Sequence, residues 1–232
     1  MAFSLDKIVP WGRSFEEYVR MFNLSPVDLE SRILCCGDGP ANFNSELAKR
    51  GGKALSIDPL YQCTAAQIRQ RINETYEQVM AQVLQNQHDF VWDSIKSPSE
   101  LGAVRMAAMK DFLADFEQHA KDGRYLASAL PNLSIQEQKF DLALCSHLLF
   151  LYSEQLSLAF HRDSVIEMCR VAREVRVFPL FDLKGTRSRH VIPLINELRQ
   201  SGFTVAIEQV PYEFQRGANE MMKVRNAHAA HR

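Results

Sequence analysis

The chain has 232 residues, 46% of them hydrophobic, which is enough to bury a sizeable core and fits one α/β domain over 1–232. Its 27 Lys and Arg offset 28 Asp and Glu to a net charge of −1, which excludes a global field drawing it to nucleic acid or to an anionic membrane. No stretch reads as a signal peptide or a bilayer span, so the expectation is a soluble, cytoplasmic protein without a membrane partner.

The N-terminal region, about 1–30, is expected to form a helical cap. In "SFEEYVRMFNL" Ser14 offers an N-cap with Glu17 three residues later, ahead of apolar residues at helical spacing. "RILCCG" and "KALSIDP" then read as short strands, with "NFNSELAKRGG" between them as a helix stopped by Gly51 and Gly52. This is a βαβ unit, whose parallel strands need a right-handed crossover.

A helical insertion, about 61–122, follows the second strand. Its helices are expected from about Thr64 to Gln87 and from Ser99 to Asp122, with Pro98 suited to a first turn and Gly123 to a C-cap. The βαβ pattern resumes with "RYLASAL", "KFDLALCS" and "EVRVFPLF" as strands and a helix from about Glu154 to Ala172. A helix near Ser188 to Ser201 leads to "FTVAIEQVPYEF" and "NEMMKVR", two strands with no helix between them, which must pair antiparallel. The expected fold is α/β: a doubly wound, mostly parallel Rossmann-like sheet of about seven strands, with a C-terminal antiparallel hairpin and a helical insertion between strands 2 and 3.

In such a sheet a ligand binds beyond the C-terminal strand ends. "GDGPANF" occupies the first corner, where Gly37 and Gly39 permit positive φ and a close ligand approach. Asp58 closes the second strand about 20 residues later, where a carboxylate can accept hydrogen bonds from both hydroxyls of a ribose. A dinucleotide fingerprint would place glycine where this chain has Asn42, and no Lys-[ST] pair supplies a phosphate cradle. The corner suits an adenosine-type cofactor with no demanding phosphate.

Five cysteines, Cys35, Cys36, Cys63, Cys145 and Cys169, are odd in number and lack framework spacing, so reduced core thiols are expected. Adjacent Cys35 and Cys36 would point to opposite strand faces, and no Cys/His set has zinc-site spacing, so no metal is expected.

Through "ILCCGDGPA", "LSIDP" and "LSIQEQKFDLALCSHLLFLY" the sequence resembles the class I S-adenosylmethionine-dependent methyltransferases, over residues 32–226. The resemblance implies S-adenosyl-L-methionine as cofactor, with Gly37 and Gly39 along its methionine and ribose side and Asp58, followed by Pro59, at the ribose hydroxyls. The family usually has an acid where this chain has Cys35, and often a third glycine where it has Ala41. Asp38, inside the loop, is then the candidate for the methionine ammonium. After the third strand, Ser128, Ala129 and Leu130 stand where the family often has an acid near the adenine.

A sulfonium donor carries its own leaving group, so catalysis is mainly alignment and exclusion of water, with a base needed only where the acceptor must lose a proton. After the fourth strand, "CSHLLFLYS" offers Ser146 toward the cofactor, with His147 and Tyr152 as candidate catalytic groups and His147 as candidate base. It lacks the Asn/Asp-Pro-Pro-aromatic signature, which argues against a DNA base as acceptor. After the fifth strand, "FDLKGTRSRHV" brings Lys184, Arg187, Arg189 and His190 together, a possible clamp for a carboxylate or phosphate. Arg13 in "PWGRSF" is a further candidate for a substrate or cofactor carboxylate, or else a bridge from the N-terminal helix to the body, and Phe90 and Trp92 could roof the pocket.

The leading expectation is methyl transfer to a small-molecule acceptor. RNA is disfavoured by the absence of a broad basic stripe. A non-catalytic binding or scaffold protein on a methyltransferase fold stays open, as does an NAD-dependent oxidoreductase, which fits Asp58 but not Asn42. Oligomeric state is not legible in the sequence.

Overall fold

The computed structural model describes Phe3, Leu5 and residues 7–227. Helix α1 (Phe15–Met21) starts at Ser14, whose side chain accepts from the Glu17 amide while Glu17 bonds back to the Ser14 amide. A one-turn helix α2 (Pro26–Glu30), closed by the same device from Ser25 and Asp28, completes the cap.

The βαβ unit is β1 (Arg32–Cys36), α3 (Phe43–Lys49) and β2 (Lys53–Ile57). Two long helices follow, α4 (Ala65–Gln85) and α5 (Pro98–His119), capped by Thr64 and Ser97. Gly123 closes the second at φ +75°, a left-handed C-cap. The chain then forms β3 (Tyr125–Leu126), β4 (Phe140–Ser146), α6 (Leu158–Val171), β5 (Ala172–Phe178), α7 (Val191–Gln200), β6 (Phe203–Gln209) and β7 (Glu220–Asn226).

Together the strands make one seven-stranded sheet in the order β3-β2-β1-β4-β5-β7-β6. The first four pairings are parallel, and β7 runs antiparallel to both β5 and β6. This is the expected doubly wound sheet with an antiparallel C-terminal pair. The chain leaves β1 toward β2 on one side and returns to β4 on the other, which opens a crevice at the carboxyl ends of β1 and β4.

Adjacent cysteines at the end of β1 mark the two faces of the sheet. Cys36 packs with Val165, Met168 and Leu194 from α6 and α7, while Cys35 packs with Phe15, Tyr18 and Phe43 from α1 and α3. All five cysteines are free, and burial pushes the Cys35 and Cys36 thiols far above their ordinary value. Among the described residues no cluster of His, Cys, Asp and Glu could hold a metal ion. None of the described helices is long and apolar enough to cross a membrane.

Three elements differ from the sequence expectation. The "RYLASAL" strand shrinks to two residues, because the chain turns back on itself through a bridge between Ala129 and Asn132, and Pro131 has no N–H for a ladder. The helix expected from Glu154 begins at Leu158 behind an N-cap at Ser157; a 3₁₀ turn over Phe150–Tyr152 comes first. The helix expected from Ser188 begins at Val191, since Ser188 instead bonds back to Leu180 and to Ser153.

The helical insertion has two jobs. Near the sheet edge Ile68 and Ile72 of α4 join Phe112 and Phe116 of α5 around Tyr61 and Tyr125. Farther along, Val79, Val83 and Leu101 join Leu5, Phe90 and Tyr152 over the crevice.

Candidate functional site

The loop after β1 is held from β2. The amides of Gly37 and Asp38 both donate to the Ile57 carbonyl, and Gly39 N–H donates to Asp58 Oδ2 at 2.9 Å. Gly37 and Gly39 take φ of +62° and +52°, the left-handed region where an L side chain is strained. A Cβ on Gly37 would overlap Leu148, whereas one on Gly39 would meet no atom within 4 Å. The backbone at Gly39 is therefore bare toward open space.

Two carboxylates flank this loop. Asp58 also accepts from the Leu60 amide at 2.7 Å; burial raises its pKa, and the two amide donors oppose the rise. Asp38 is almost fully buried, with Tyr18 Oη donating to Oδ1 at 2.5 Å and Ser56 Oγ to Oδ2 at 2.6 Å. Burial pushes its pKa up to about 6 even against these two donors. A carboxylate has about four acceptor positions, so each acid retains capacity for a ligand donor.

Both acids border a cavity of about 430 Å³. Gly37, Asp58, Ser128, Ser146 and Pro179, which end or immediately follow the five parallel strands apart from one residue after β3, all line it. So do Asp38, Gly39, Pro59, Ala129, Leu130, His147, Tyr152 and Arg13. The structure thus brings every cofactor-side and catalytic candidate of the sequence to one wall system.

His147 sits at φ +53°, with its backbone N–H donating to Phe178 and its Nδ1 at 2.8 Å from Ser146 Oγ. Burial, with added repulsion from Arg13 and Arg105, holds its imidazole well below its ordinary pKa, so the ring is neutral at neutral pH. The Tyr152 hydroxyl accepts from the Val9 amide and its pKa is raised by burial. Tyr152 thereby ties the N-terminal segment to the loop after β4.

That N-terminal segment is a strap along the cavity. Leu5, Val9 and Trp11 line it, Gln155 donates to the Leu5 carbonyl, and Gly12 lies so close to Pro40 that a Cβ would overlap the Pro40 carbonyl. Asn42, the residue that spoils a dinucleotide fingerprint, joins this strap to the body. Its Oδ1 accepts from the Phe15 amide and its Nδ2 donates to Asp111 of α5.

Behind the strap lies a charged cluster invisible to sequence patterning. Arg105 of α5 is fully buried and grips both oxygens of Glu17, and Tyr212 Oη donates to Glu17 Oε1 at 2.7 Å. Burial would raise Glu17, but the Arg105 guanidinium overrides it and holds the carboxyl down at about 2. Arg13 stands beside this pair and is pushed down to about 10 by burial first and by Arg105 second.

Aromatic residues of the β6–β7 loop close the opposite wall. Phe214 stacks on Phe90 at 4.9 Å between ring centroids, and Val91 N–H donates to the Phe214 carbonyl. Of the expected roof residues, Phe90 lines the cavity and Trp92 buttresses it from behind, edge-on to Phe90 and Phe214.

The basic run after β5 goes elsewhere. Lys184 and Arg189 pair with Glu154, Arg187 pairs with Glu220 at 2.6 Å, and none of the three lines the cavity. His190 is buried with Nε2 at 3.2 Å from the Ser153 carbonyl. The carboxylate or phosphate clamp expected from this run is not assembled at the cavity, because acids distant in sequence engage its charges.

No family model matches the chain. Among solved structures it is similar to an S-adenosylmethionine-dependent methyltransferase of Aquifex aeolicus, at 14% identity over 91% of this chain and 89% of that one, TM-score 0.45. It is similar also to a TehB-like S-adenosylmethionine-dependent methyltransferase of Corynebacterium glutamicum, at 15% identity over 85% and 80%, TM-score 0.45. In sequence it is 30% identical over 224 residues to the uncharacterized protein MJ0045 of Methanocaldococcus jannaschii, covering 96% of this chain and 98% of that protein. The two proteins are alike along nearly their whole lengths, and the chain belongs to the same family as this archaeal protein.

Proposed function

We propose that the protein binds S-adenosyl-L-methionine in this cavity and transfers its methyl group to a small-molecule acceptor. The observation that carries the reading is the glycine corner itself. Two glycines at positive φ, one with open space at its Cβ position, stand beside Asp58 at the carboxyl end of β2 and Asp38 inside the loop. These residues fit an adenosyl amino acid: the free acceptor positions of Asp58 suit vicinal ribose hydroxyls, and the buried Asp38 suits an ammonium.

When bound, the cofactor supplies an electrophilic methyl group on a good leaving group. The protein's part is to align the acceptor and exclude water, for which the apolar strap and the Phe90–Phe214 wall are suited. In the tautomer whose Nδ1–H donates to Ser146 Oγ, the neutral His147 would keep Nε2 as an acceptor for a proton leaving the methylated atom. Ser128, Ala129 and Leu130 would border the adenine, and Tyr152 would hold the strap in place over the reacting groups.

Calorimetric titration with S-adenosylmethionine, S-adenosylhomocysteine and NAD, beside an Asp58→Ala variant, tests this. Binding of the homocysteine product, lost by at least about tenfold in the variant, supports the reading. Binding of NAD alone, or of none of the three, overturns it.

A further inference from the structure

We infer that Arg13 anchors the acceptor, and that the acceptor is an apolar or aromatic carboxylic acid. The inference rests on the methyl-transfer reading above and adds a substrate class to it.

The first observation is an unmet donor. Arg13 lines the cavity, and its Nη1 donates to the Trp11 carbonyl at 2.7 Å, while Nε is buried with no hydrogen-bond partner. Among the described residues no carboxylate lies within ion-pair distance of it. Burying a guanidinium N–H without an acceptor costs about 1–3 kcal/mol, which a ligand oxygen would recover.

The second is a charge balance. Arg105 and Glu17 neutralise one another through a two-pronged pair, to which Tyr212 and the Ser14 amide add donors on Glu17. Within this group of three charges Arg13 is the positive one left over, and it is half-buried. A single planar fork matches a single carboxylate; a phosphate dianion would leave one charge unanswered.

The third is position. The Arg13 charge is felt at His147 and Tyr152 on the loop after β4 and at Tyr212 before β7. The acid proposed for the cofactor, Asp38, is bonded by Tyr18 and Ser56, with Arg13 not among its hydrogen-bond partners. The cavity that Arg13 lines also carries apolar and aromatic side chains, Leu5, Trp11, Val83, Phe90 and Phe214. That chamber selects a hydrophobic body attached to the anion.

The test uses the full chain and two probes of equal shape, 3-phenylpropanoate and 3-phenylpropanamide, with binding followed by calorimetry with and without saturating S-adenosylhomocysteine. We expect the acid to bind the wild type at least about tenfold more tightly than the amide, the ratio to fall to about one in Arg13→Gln, and Arg13→Lys to lie between. Thermal melts of both variants confirm folding. S-adenosylhomocysteine and 5′-methylthioadenosine, which lacks the amino-acid portion, separate the two sources of a carboxylate. Equal binding of acid and amide, no binding of either, or a ratio that survives Arg13→Gln overturns the inference. So does an Arg13→Gln variant that loses S-adenosylhomocysteine about tenfold yet keeps methylthioadenosine, because the guanidinium then serves the cofactor. A wild type that binds neither adenosyl compound sinks the methyl-transfer reading instead, whatever the acid-to-amide ratio.

Discussion

The hydroxyl of Tyr18 donates to Oδ1 of Asp38 at 2.5 Å, joining the N-terminal helix to the glycine loop 20 residues on. Together with Ser56 on Oδ2, it leaves a buried carboxyl poised near pH 6. An ammonium placed beside Asp38 would favour the ionised form and expel its proton. Binding of S-adenosylhomocysteine should therefore release about half a proton at pH 6 and approach one near pH 5, read from calorimetry in buffers of different ionisation enthalpy. Asp38→Asn should abolish that release. In Tyr18→Phe, with one donor gone, the carboxyl should titrate higher still and the release should peak at higher pH.

Asp38 and His147 should also bend the stability curve in opposite directions. The Asp38 pKa is raised from 3.8 to about 6, so its contribution to stability is present below pH 4 and lost as pH climbs through 6, a change of about 3 kcal/mol. That of His147 is depressed below 6.5, so its contribution is present above pH 6.5 and lost as pH falls. In the wild type the two partly cancel between pH 4 and 6.5. Urea midpoints should expose them separately: Asp38→Asn leaves stability rising with pH over this window, and His147→Asn leaves it falling. Asn is the replacement for His147 because it tolerates the left-handed φ of +53°. Parallel curves in all three proteins would refute the opposed titrations.

Much of the wall around the loop after β1 was legible because it is built from local rules. The glycine corner, Asp58 and the Ser14–Glu17 cap depend on residues a few positions apart or on the fixed geometry of a βαβ unit, and they fall where patterning puts them. The charged residues were not legible, because charge in a sequence does not state its partner. Lys184, Arg187 and Arg189 are clustered and face outward, paired with Glu154 and Glu220. Arg105, inside an ordinary-looking helix, is fully buried, and its partner Glu17 lies 88 residues away, beyond the reach of local patterning. Tyr212 and Phe214 reach the cavity only because β7 inserts between β5 and β6, which an apolar strand pattern does not specify.

The two loop glycines should fail in different ways when given a methyl group. At both, positive φ costs an L residue about 1 kcal/mol. Gly37→Ala adds an overlap with Leu148 and should cost about 2–4 kcal/mol in all, seen as a lowered urea midpoint. Gly39→Ala meets no protein atom, so the fold should survive with a loss near 1 kcal/mol. Its methyl group should instead occupy ligand space and weaken S-adenosylhomocysteine by about tenfold or more. Undiminished affinity in Gly39→Ala would mean that the ligand does not approach this stretch of backbone.

The buried pair of Arg105 and Glu17 gives the sharpest test of what holds the cavity wall beside Arg13 together. Arg105→Met removes the two-pronged partner and leaves Glu17 buried beside Tyr212, the Ser14 amide and Arg13, at a cost of about 3–5 kcal/mol. Glu17→Gln strands Arg105 in the same way and should cost a similar amount. The double variant strands neither charge, so its loss should fall well short of the two single losses added together, measured by urea denaturation as a double-mutant cycle. The pair also sets an acid limb. Glu17 is depressed from 4.5 to about 2, so the stability it lends is present above pH 4.5 and lost as pH falls toward 2. That limb should be missing from the double variant. If the two single losses simply add, Arg105 and Glu17 act independently, and the wall that positions Arg13 must be held by packing alone.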